Sequence, residues 1–171
     1  ARFQLVAAMN ACPCGYYGDK HQVCVCSASK VANYLQRLSG PLLDRIDLQV
    51  AVHRPSSEVL LKPNQGLNTQ QAKHWVGQAQ GLQLDRCGQL NGQLPWAQLE
   101  ACTKLNSENK KLLQNAITRL HLSPRGIHKV LRVARTIADL ENAKNIQKNH
   151  LLEALSYRRL DNLSMEIKHN C

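Results

Sequence analysis

Four cysteines near the start of the chain have the spacing of a metal site. They form two Cys-x-Cys pairs, Cys12 with Cys14 and Cys24 with Cys26, separated by nine residues that include two glycines. If that segment turns back on itself, four thiolates can surround Zn²⁺ tetrahedrally. We therefore predict a structural zinc site, in which His21 could replace one thiol. The alternative is four cysteines without a metal.

The rest of the chain carries no sign of secretion. Its first residues lack the basic-then-apolar layout of a signal peptide, and no apolar run approaches the length of a membrane span. This pattern predicts a cytoplasmic protein, in which cysteines bind metal more often than they form disulfides. The remaining cysteines, Cys87, Cys102 and Cys171, are predicted to be isolated thiols.

Arg45 lies between two carboxylates, Asp44 and Asp47, after a Gly-Pro pair and before an alternating apolar segment, residues 48–52. The alternation predicts a strand that is at least partly buried, so Arg45 should project from a structured corner. The carboxylates could hold the guanidinium in place, where it could stabilise the charge on a transferred phosphoryl group. Alternatively, Arg45 is a surface arginine that pairs with Asp44 or Asp47.

Asn10 lies at the end of a predicted strand, residues 5–9. That end of a strand in an open α/β sheet faces the crevice where ligands bind. Alternatively, the asparagine simply forms a turn.

Arg125 lies at the start of a predicted helix. It follows Ser123, the predicted cap, and Pro124, the first helical residue, so its positive charge lies at the positive end of the helix dipole. A bound phosphate would remove this conflict. A solvated arginine that tolerates a small penalty is the alternative.

The chain is strongly basic, with 22 Lys and Arg against 12 Asp and Glu, a formal charge of +10. A polyanionic partner is therefore plausible. Helical spacing places three cations on one face: Arg125, Lys129 and Arg132. With Arg119 and Arg135 added, this patch could contact DNA phosphates. It could equally be a solvated face on which Arg135 pairs with Asp139.

The periodicity of the chain divides it into four parts. Residues 1–54 are predicted to hold a strand, the cysteine loop, a helix over 27–36 capped by Ser27 or Ser29, and a second strand. Residues 55–67 are rich in breakers and predict a linker. Residues 68–160 are predicted to be an all-α bundle, and 161–171 a frayed tail. The predicted bundle helices span about 68–83, 95–102, 107–120, 123–141 and 147–157.

Several segments together resemble the magnesium-chelatase-like branch of the AAA+ ATPases, and within it the bacterial ComM/YifB group. The matching segments, which appear in the family's order, are residues 3–10, 12–15, 24–26, 38–48, 123–125 and 133–140. The resemblance implies an α/β fragment of a AAA+ P-loop ATPase core followed by an all-α helical lid. The sequence contains no G-x-x-x-x-G-K-[ST] and opens on a predicted strand, so we expect the P-loop and the other strands to lie upstream.

The resemblance also assigns roles to residues. It implies that Asn10 is sensor 1, that Arg45 is an arginine finger acting on a neighbouring subunit, and that Arg125 is sensor 2. The implied partners are ATP with Mg²⁺, DNA, and further copies of the chain in a hexameric ring. The implied activity is ATP-driven DNA branch migration in recombination and natural transformation, with the present chain inert toward ATP by itself.

Two other functions stay open at this point. One is a chelatase motor that drives magnesium into a porphyrin, which the extra cysteine loop disfavours. The other is a free-standing zinc-stapled DNA-binding module, which the charge and the cysteines favour but the strand-first start does not.

Overall fold

The computed structural model describes residues 3–19, 21–38, 40–52, 54–56, 59, 61 and 66–158. Two short helices lie in the N-terminal third, and five helices form a bundle in the remainder. They are α1 (Ala28–Gln36), α2 (Gly40–Leu43), α3 (Thr69–Cys87), α4 (Trp96–Cys102), α5 (Ser107–Leu120), α6 (Pro124–Leu140) and α7 (Lys148–Ser156), with a 3₁₀ turn at Asn91–Gln93. Most of the predicted linker and the whole predicted tail lie outside the described residues.

Local capping fixes where the helices begin. The side chains of Ser27, Asn68, Asn106 and Ser123 each accept the backbone N–H three residues on, which satisfies one of the free donors of the first turn. Gly88 ends α3 with φ +65°, a left-handed conformation that glycine adopts without strain. Helix α3 consequently runs four residues beyond its predicted end.

Helix α6 is the centre of the bundle. It packs against α3, α4, α7 and the 3₁₀ turn. Its buried stripe meets one buried leucine each from α5 and α7, and the core comprises Leu113, Val130, Leu131, Ala134, Ile137, Ala138, Ile146, Leu151 and Ala154. Burial of a leucine side chain contributes about 1.5–3 kcal/mol, so this stripe, predicted from helical periodicity, is the main source of bundle stability.

A buried polar network joins α3, the 3₁₀ turn and α6. The Asp139 carboxylate receives a bidentate pair from Arg86, at 2.7 and 2.9 Å, and further bonds from Arg135 Nε at 3.1 Å and Asn91 Nδ2 at 2.8 Å. Arg135 also donates to two carbonyls of the loop after α6, those of residues 143 and 144. The network therefore fixes the register of three elements around one carboxylate.

The prediction of an α/β part is not met within the described residues, where no strand forms. Residues 5–9 and 48–52 have no ladder partner, and their apolar side chains face solvent; Val6 is 86% and Val52 88% exposed. Alternation in the sequence shows a two-residue period but does not show which strand would pair with the segment. A strand needs an adjacent strand to form hydrogen bonds with its backbone N–H and C=O groups. One exception is Gln49 N–H, which donates to Tyr157 O at 2.9 Å and ties this segment to the bundle.

Candidate functional site

Arg45 lies at the corner that follows α2, in a segment we call the Arg45 loop, residues 44–47. Backbone bonds from Arg45 N–H to Leu42 O, 2.9 Å, and from Ile46 N–H to Leu43 O, 3.0 Å, continue the turn of α2. The Arg45 side chain is exposed, and its Nη1 donates to Pro41 O at 2.7 Å. The guanidinium therefore lies on the outer surface of the corner, as predicted.

The flanking carboxylates do not hold Arg45, which corrects the prediction. Asp44 accepts Ser123 Oγ–H on both oxygens, at 3.0 and 2.8 Å, and Arg158 Nη2 at 3.3 Å. Asp47 accepts Lys129 Nζ at 2.8 Å. Both carboxylates are thus directed toward the bundle, where one hydroxyl and two cations bind them.

Lys129 and Arg158 attach the Arg45 loop to the bundle through its backbone as well. Lys129 Nζ donates to Arg45 O at 2.6 Å, and Arg158 Nη1 donates to Ile46 O at 2.8 Å. The side chain of Arg158 is only 2% exposed, so this anchor is part of the packed interior. The loop is thus held by residues of α6 and by the residues that follow α7.

Arg125 lies in the first turn of α6, two residues after Ser123. Its side chain is exposed, and none of the described residues hydrogen-bonds or forms an ion pair with it. Ser123, the N-cap of α6, binds Asp44, which is next to Arg45. Both arginines predicted to bind phosphate are therefore adjacent in sequence to residues that meet at the N-terminus of α6. The guanidinium of Arg125 is available to an anion there.

Asn10 is exposed and lies beside the cysteine loop. Its Nδ2 lies 3.7 Å from the point that a Cβ on Gly15 would occupy. Among the described residues, no hydrogen bond joins Asn10 to Arg45 or Arg125. The structure therefore brings Asn10 near the cysteines rather than near the arginines.

The predicted basic face of α6 is largely engaged inside the molecule. Lys129 binds the Arg45 loop, and Arg132 Nη2 donates to Leu94 O at 3.1 Å. Arg135 is 1% exposed and pairs with Asp139, so its assignment to a surface patch was wrong and the alternative pairing is confirmed. DNA contact through Lys129 and Arg132 stays a prediction.

The four cysteines converge. Their sulfur atoms all lie within 4.8 Å of one another, with distances of 3.3 Å from Cys12 to Cys14, 3.7 Å from Cys12 to Cys24 and 3.5 Å from Cys14 to Cys24. Zinc–sulfur bonds of about 2.3 Å place the corners of a thiolate tetrahedron about 3.8 Å apart. The donor set and spacing of this four-cysteine cluster therefore fit Zn²⁺. His21 does not belong to the group, so the suggested replacement of a thiol is not found.

Local geometry shapes the cysteine loop. Gly15, at φ +86°, follows the first pair, and its N–H donates to Cys12 O at 3.0 Å. Asp19 Oδ1 accepts the N–H groups of His21 and Gln22 at 2.7 and 3.0 Å, which turns the chain back toward the second pair. Cys12 is fully buried and packs with Val31 of α1, so the cluster rests on that helix.

The thiols of the cluster differ in acidity. A hydrogen bond from the Tyr16 N–H is the main reason that the pKa of Cys14 falls to about 6. The Cys26 N–H lowers the pKa of Cys24, but desolvation and the adjacent thiols outweigh it and raise that pKa to about 12. One thiolate thus forms readily, while a second beside it needs a cation to offset the repulsion.

Sequence reasoning missed two features. Cys87 and Cys102, predicted to be isolated, have their sulfurs 2.8 Å apart. The anchors Ser123, Lys129 and Arg158 were also not foreseen as partners of the Arg45 loop, since they lie 79 to 114 positions away in sequence. Only the two acidic residues around Arg45 gave a signal that cationic partners were needed.

Within the part of the chain that the structure describes, no helix is both long and apolar enough to cross a bilayer.

Comparisons with known proteins cover both parts of the chain. Residues 66–158 match the family model described as magnesium chelatase, subunit ChlI C-terminal, and residues 1–60 match that of magnesium chelatase, subunit ChlI. Competence protein ComM of Haemophilus influenzae is 38% identical over 168 residues, which are 98% of this chain and 33% of that protein. The uncharacterized protein YifB of Escherichia coli is 39% identical over 169 residues, again 98% and 33%.

A more distant relative is an uncharacterized protein of Mycobacterium tuberculosis, 35% identical over 163 residues, 93% of this chain and 32% of the relative. The chain spans about a third of the length of these curated relatives. A family model covers more than half of it, and the similarity to ComM and YifB extends over nearly all of it. The chain therefore belongs to the magnesium-chelatase-like family of AAA+ ATPases and is a protein of the ComM/YifB type.

Proposed function

We propose that this chain supplies the phosphate-sensing and intersubunit elements of a ring-forming AAA+ ATPase. In this proposal Arg45 is the arginine finger, Arg125 is sensor 2 and Asn10 is sensor 1. ATP and Mg²⁺ are held mainly by residues outside the chain, because the sequence contains no P-loop motif. Membership of the family supports the assignment of these roles.

The observation that carries the proposal is the attachment of the Arg45 loop to α6. Ser123 binds Asp44 and Lys129 binds Asp47, one on each side of Arg45. Both contacts come from the helix that bears Arg125, so the two arginines are held on one framework. A guanidinium that is already in position stabilises the negative charge of the phosphoryl-transfer transition state without having to rearrange. An arginine finger raises the rate of phosphoryl transfer by a factor of about 10³–10⁵.

The chemistry assigned to each residue is distinct. The exposed Arg45 would reach the γ-phosphate bound to the neighbouring subunit and neutralise charge on its oxygens. Arg125 would contact the same phosphate from the first turn of α6, where the helix dipole and free N–H groups add to its charge. Asn10 would orient the attacking water through its carboxamide.

The proposed work of the complete ring, a hexamer, is DNA branch migration. The formal charge of +10 suits a polyanion, and the relative from Haemophilus influenzae is named a competence protein. A chelatase motor is the second candidate, because both matching family models describe magnesium chelatase subunits. DNA-dependent stimulation of ATP hydrolysis would favour the first candidate, whereas stimulation by a porphyrin and Mg²⁺ acceptor subunit would favour the second.

The four-cysteine cluster would hold a structural Zn²⁺ in this protein. Four sulfur ligands leave no coordination position for a substrate, so the ion would stabilise the loop between Asn10 and α1 and perform no step of the reaction. The sulfur distances given above support this assignment.

The decisive experiment uses the complete protein that contains this chain. ATP hydrolysis and branch migration are measured for wild type, Arg45→Ala, Arg125→Ala and the control Arg37→Ala, an exposed arginine directly after α1. We expect Arg45→Ala to abolish hydrolysis while nucleotide binding is retained. Mixing it with a P-loop mutant should restore part of the activity, since each subunit supplies what the other lacks. Normal hydrolysis by Arg45→Ala would remove Arg45 from the finger role.

A further inference from the structure

The ends of α3 and α4 bring two thiols together outside the four-cysteine cluster. Cys87 is the last residue of α3 and Cys102 the last of α4, and their sulfurs lie 2.8 Å apart although the residues are 15 positions apart in sequence. A covalent S–S bond is about 2.0 Å long, so bonding would require the sulfurs to move together by only about 0.8 Å.

The surrounding structure holds this geometry in place. Gly88 closes α3 through its N–H to Leu84 O at 2.7 Å, and Thr103 closes α4 through its N–H to Glu100 O at 3.2 Å. Arg86, next to Cys87, is fixed by its bidentate bond to Asp139. Both thiols are therefore carried by ordered helix ends, which raises the effective concentration of one thiol at the other.

A cation beside the pair partly offsets the cost of forming a thiolate there. The pKa of Arg86 is raised mainly by hydrogen bonding to Asp139 and further by the charges of Asp139, Cys102 and Cys87. Burial and the adjacent Cys87 raise the pKa of Cys102, and Arg86 opposes this rise. Both thiols are partly exposed, so a small oxidant can reach them.

We propose that Cys87 and Cys102 are a site of reversible oxidation that forms an intramolecular disulfide with a low-molecular-weight disulfide as oxidant. One thiolate attacks the oxidant, forms a mixed disulfide and releases one thiol. The second thiolate then attacks the protein sulfur of that mixed disulfide and releases the second thiol. Two S–H bonds are lost from the protein, one S–S bond forms, and two electrons and two protons pass to the oxidant.

The bond would join the C-terminal ends of α3 and α4 across the 3₁₀ turn. That turn contains Asn91, which binds both Arg86 and Asp139. Oxidation would therefore lock the segment that closes the buried polar network. The proposal does not depend on the function proposed above.

Peptide mapping of the chain tests the proposal, with Cys171→Ser introduced to remove the thiol of Cys171. The chain is equilibrated in oxidised and reduced glutathione, alkylated with iodoacetamide and digested with trypsin. No Lys or Arg lies between Cys87 and Lys104, so both cysteines appear in the single peptide 87–104. We expect that peptide to lose two hydrogen atoms, to resist alkylation, and to become doubly alkylated after treatment with dithiothreitol.

Cys87→Ser is the matched variant. Its Cys102 should retain glutathione as a mixed disulfide, because no second thiol is present to displace it, and this adduct shows that the oxidant reaches the site. If peptide 87–104 of the Cys171→Ser chain stays doubly alkylated in oxidised glutathione, or carries two glutathione adducts, the proposal is wrong. That measurement decides the outcome even if the chain with Cys87→Ser folds poorly.

Discussion

The hydroxyl of Ser123 joins Asp44 to the first turn of α6. Its Oγ–H is shared between the two Asp44 oxygens at 3.0 and 2.8 Å, while Oγ accepts the Gly126 N–H at 3.0 Å. One side chain thus caps a helix and anchors the loop of an arginine that lies far away in sequence. The position of Arg45 and the start of α6 consequently both depend on Ser123 Oγ.

We expect Ser123→Ala to lower the free energy of unfolding of the bundle by about 2 kcal/mol. The substitution removes a helix cap and leaves the Asp44 carboxylate without its hydroxyl partner. Ser107→Ala is the control, because Ser107 is exposed and the cap of α5 is Asn106. Urea unfolding monitored by circular dichroism measures both. Equal midpoints for the two variants would show that the Asp44 contact does not stabilise the bundle.

Lys129→Met should affect activity more than stability. Lys129 pairs with Asp47, whose side chain is 56% exposed. Such exposed ion pairs contribute at most about 1 kcal/mol to the free energy of unfolding. The same ammonium also holds Arg45 O, so its loss should free the loop and lower kcat for ATP hydrolysis in the complete protein, with KM nearly unchanged. Lys110→Met, at an exposed position of α5, is the control. A rise in KM at constant kcat would contradict a role in positioning Arg45.

We expect the chain purified under reducing conditions to contain one Zn²⁺ per molecule. Cys14→Ser should lose the ion, because three thiolates cannot complete the tetrahedron. Cys87→Ser, which removes a thiol outside the cluster, should retain it. Native mass spectrometry gives the stoichiometry. Hydrogen exchange should show that chelation exposes α1, since Cys12 packs on Val31; unchanged protection would mean that the metal does not stabilise this part.

Asp139→Asn should be the most destabilising conservative change in the bundle, by about 3–5 kcal/mol. It leaves the guanidinium of Arg135, whose side chain is 2% exposed, and that of Arg86 without a counter-charge. The exposed Asp85→Asn, directly before Arg86 in the last turn of α3, serves as the control because Asp85 is not part of the network. Chemical denaturation at neutral pH measures the difference, and a loss below 1 kcal/mol would argue that water replaces the missing charge.

The order of the cysteine loop should depend on the ionisation of Asp19. Hydrogen bonds from the His21 and Gln22 N–H groups lower its pKa below the usual 3.8. A lowered folded-state pKa means that the contribution is present above the unfolded value and is lost as the pH falls through the folded one. Carboxyl-carbon NMR should find this pKa, with the amide signals of both partners shifting at the same pH. Asp19→Asn should abolish that coupled shift.

Sequence reasoning succeeded where the determining interactions are local. Helix starts at Ser27, Asn68 and Ser123 follow from a side chain and an N–H three residues away. Convergence of the cysteines followed from a short segment with glycines. The same reasoning failed for Asp47 and Lys129, 82 positions apart, because charge pattern does not encode which distant cation folds against a carboxylate.

The predicted strands failed for a related physical reason. Residues 48–52 alternate as a half-buried strand does, yet the side chain of Val52 is 88% exposed and the segment has no ladder among the described residues. Periodicity indicates which faces differ in polarity, whereas a strand forms only when another backbone satisfies its N–H and C=O groups.

Arg158 binds Asp44 on one side of Arg45 and the Ile46 carbonyl on the other, from a buried position next to the end of α7. The Arg45 loop is therefore attached to the C-terminal end of the last bundle helix as well as to α6. In the proposed ring, a tilt of the bundle would displace Arg45 in the same direction, which would transmit a change at one nucleotide to the neighbouring subunit.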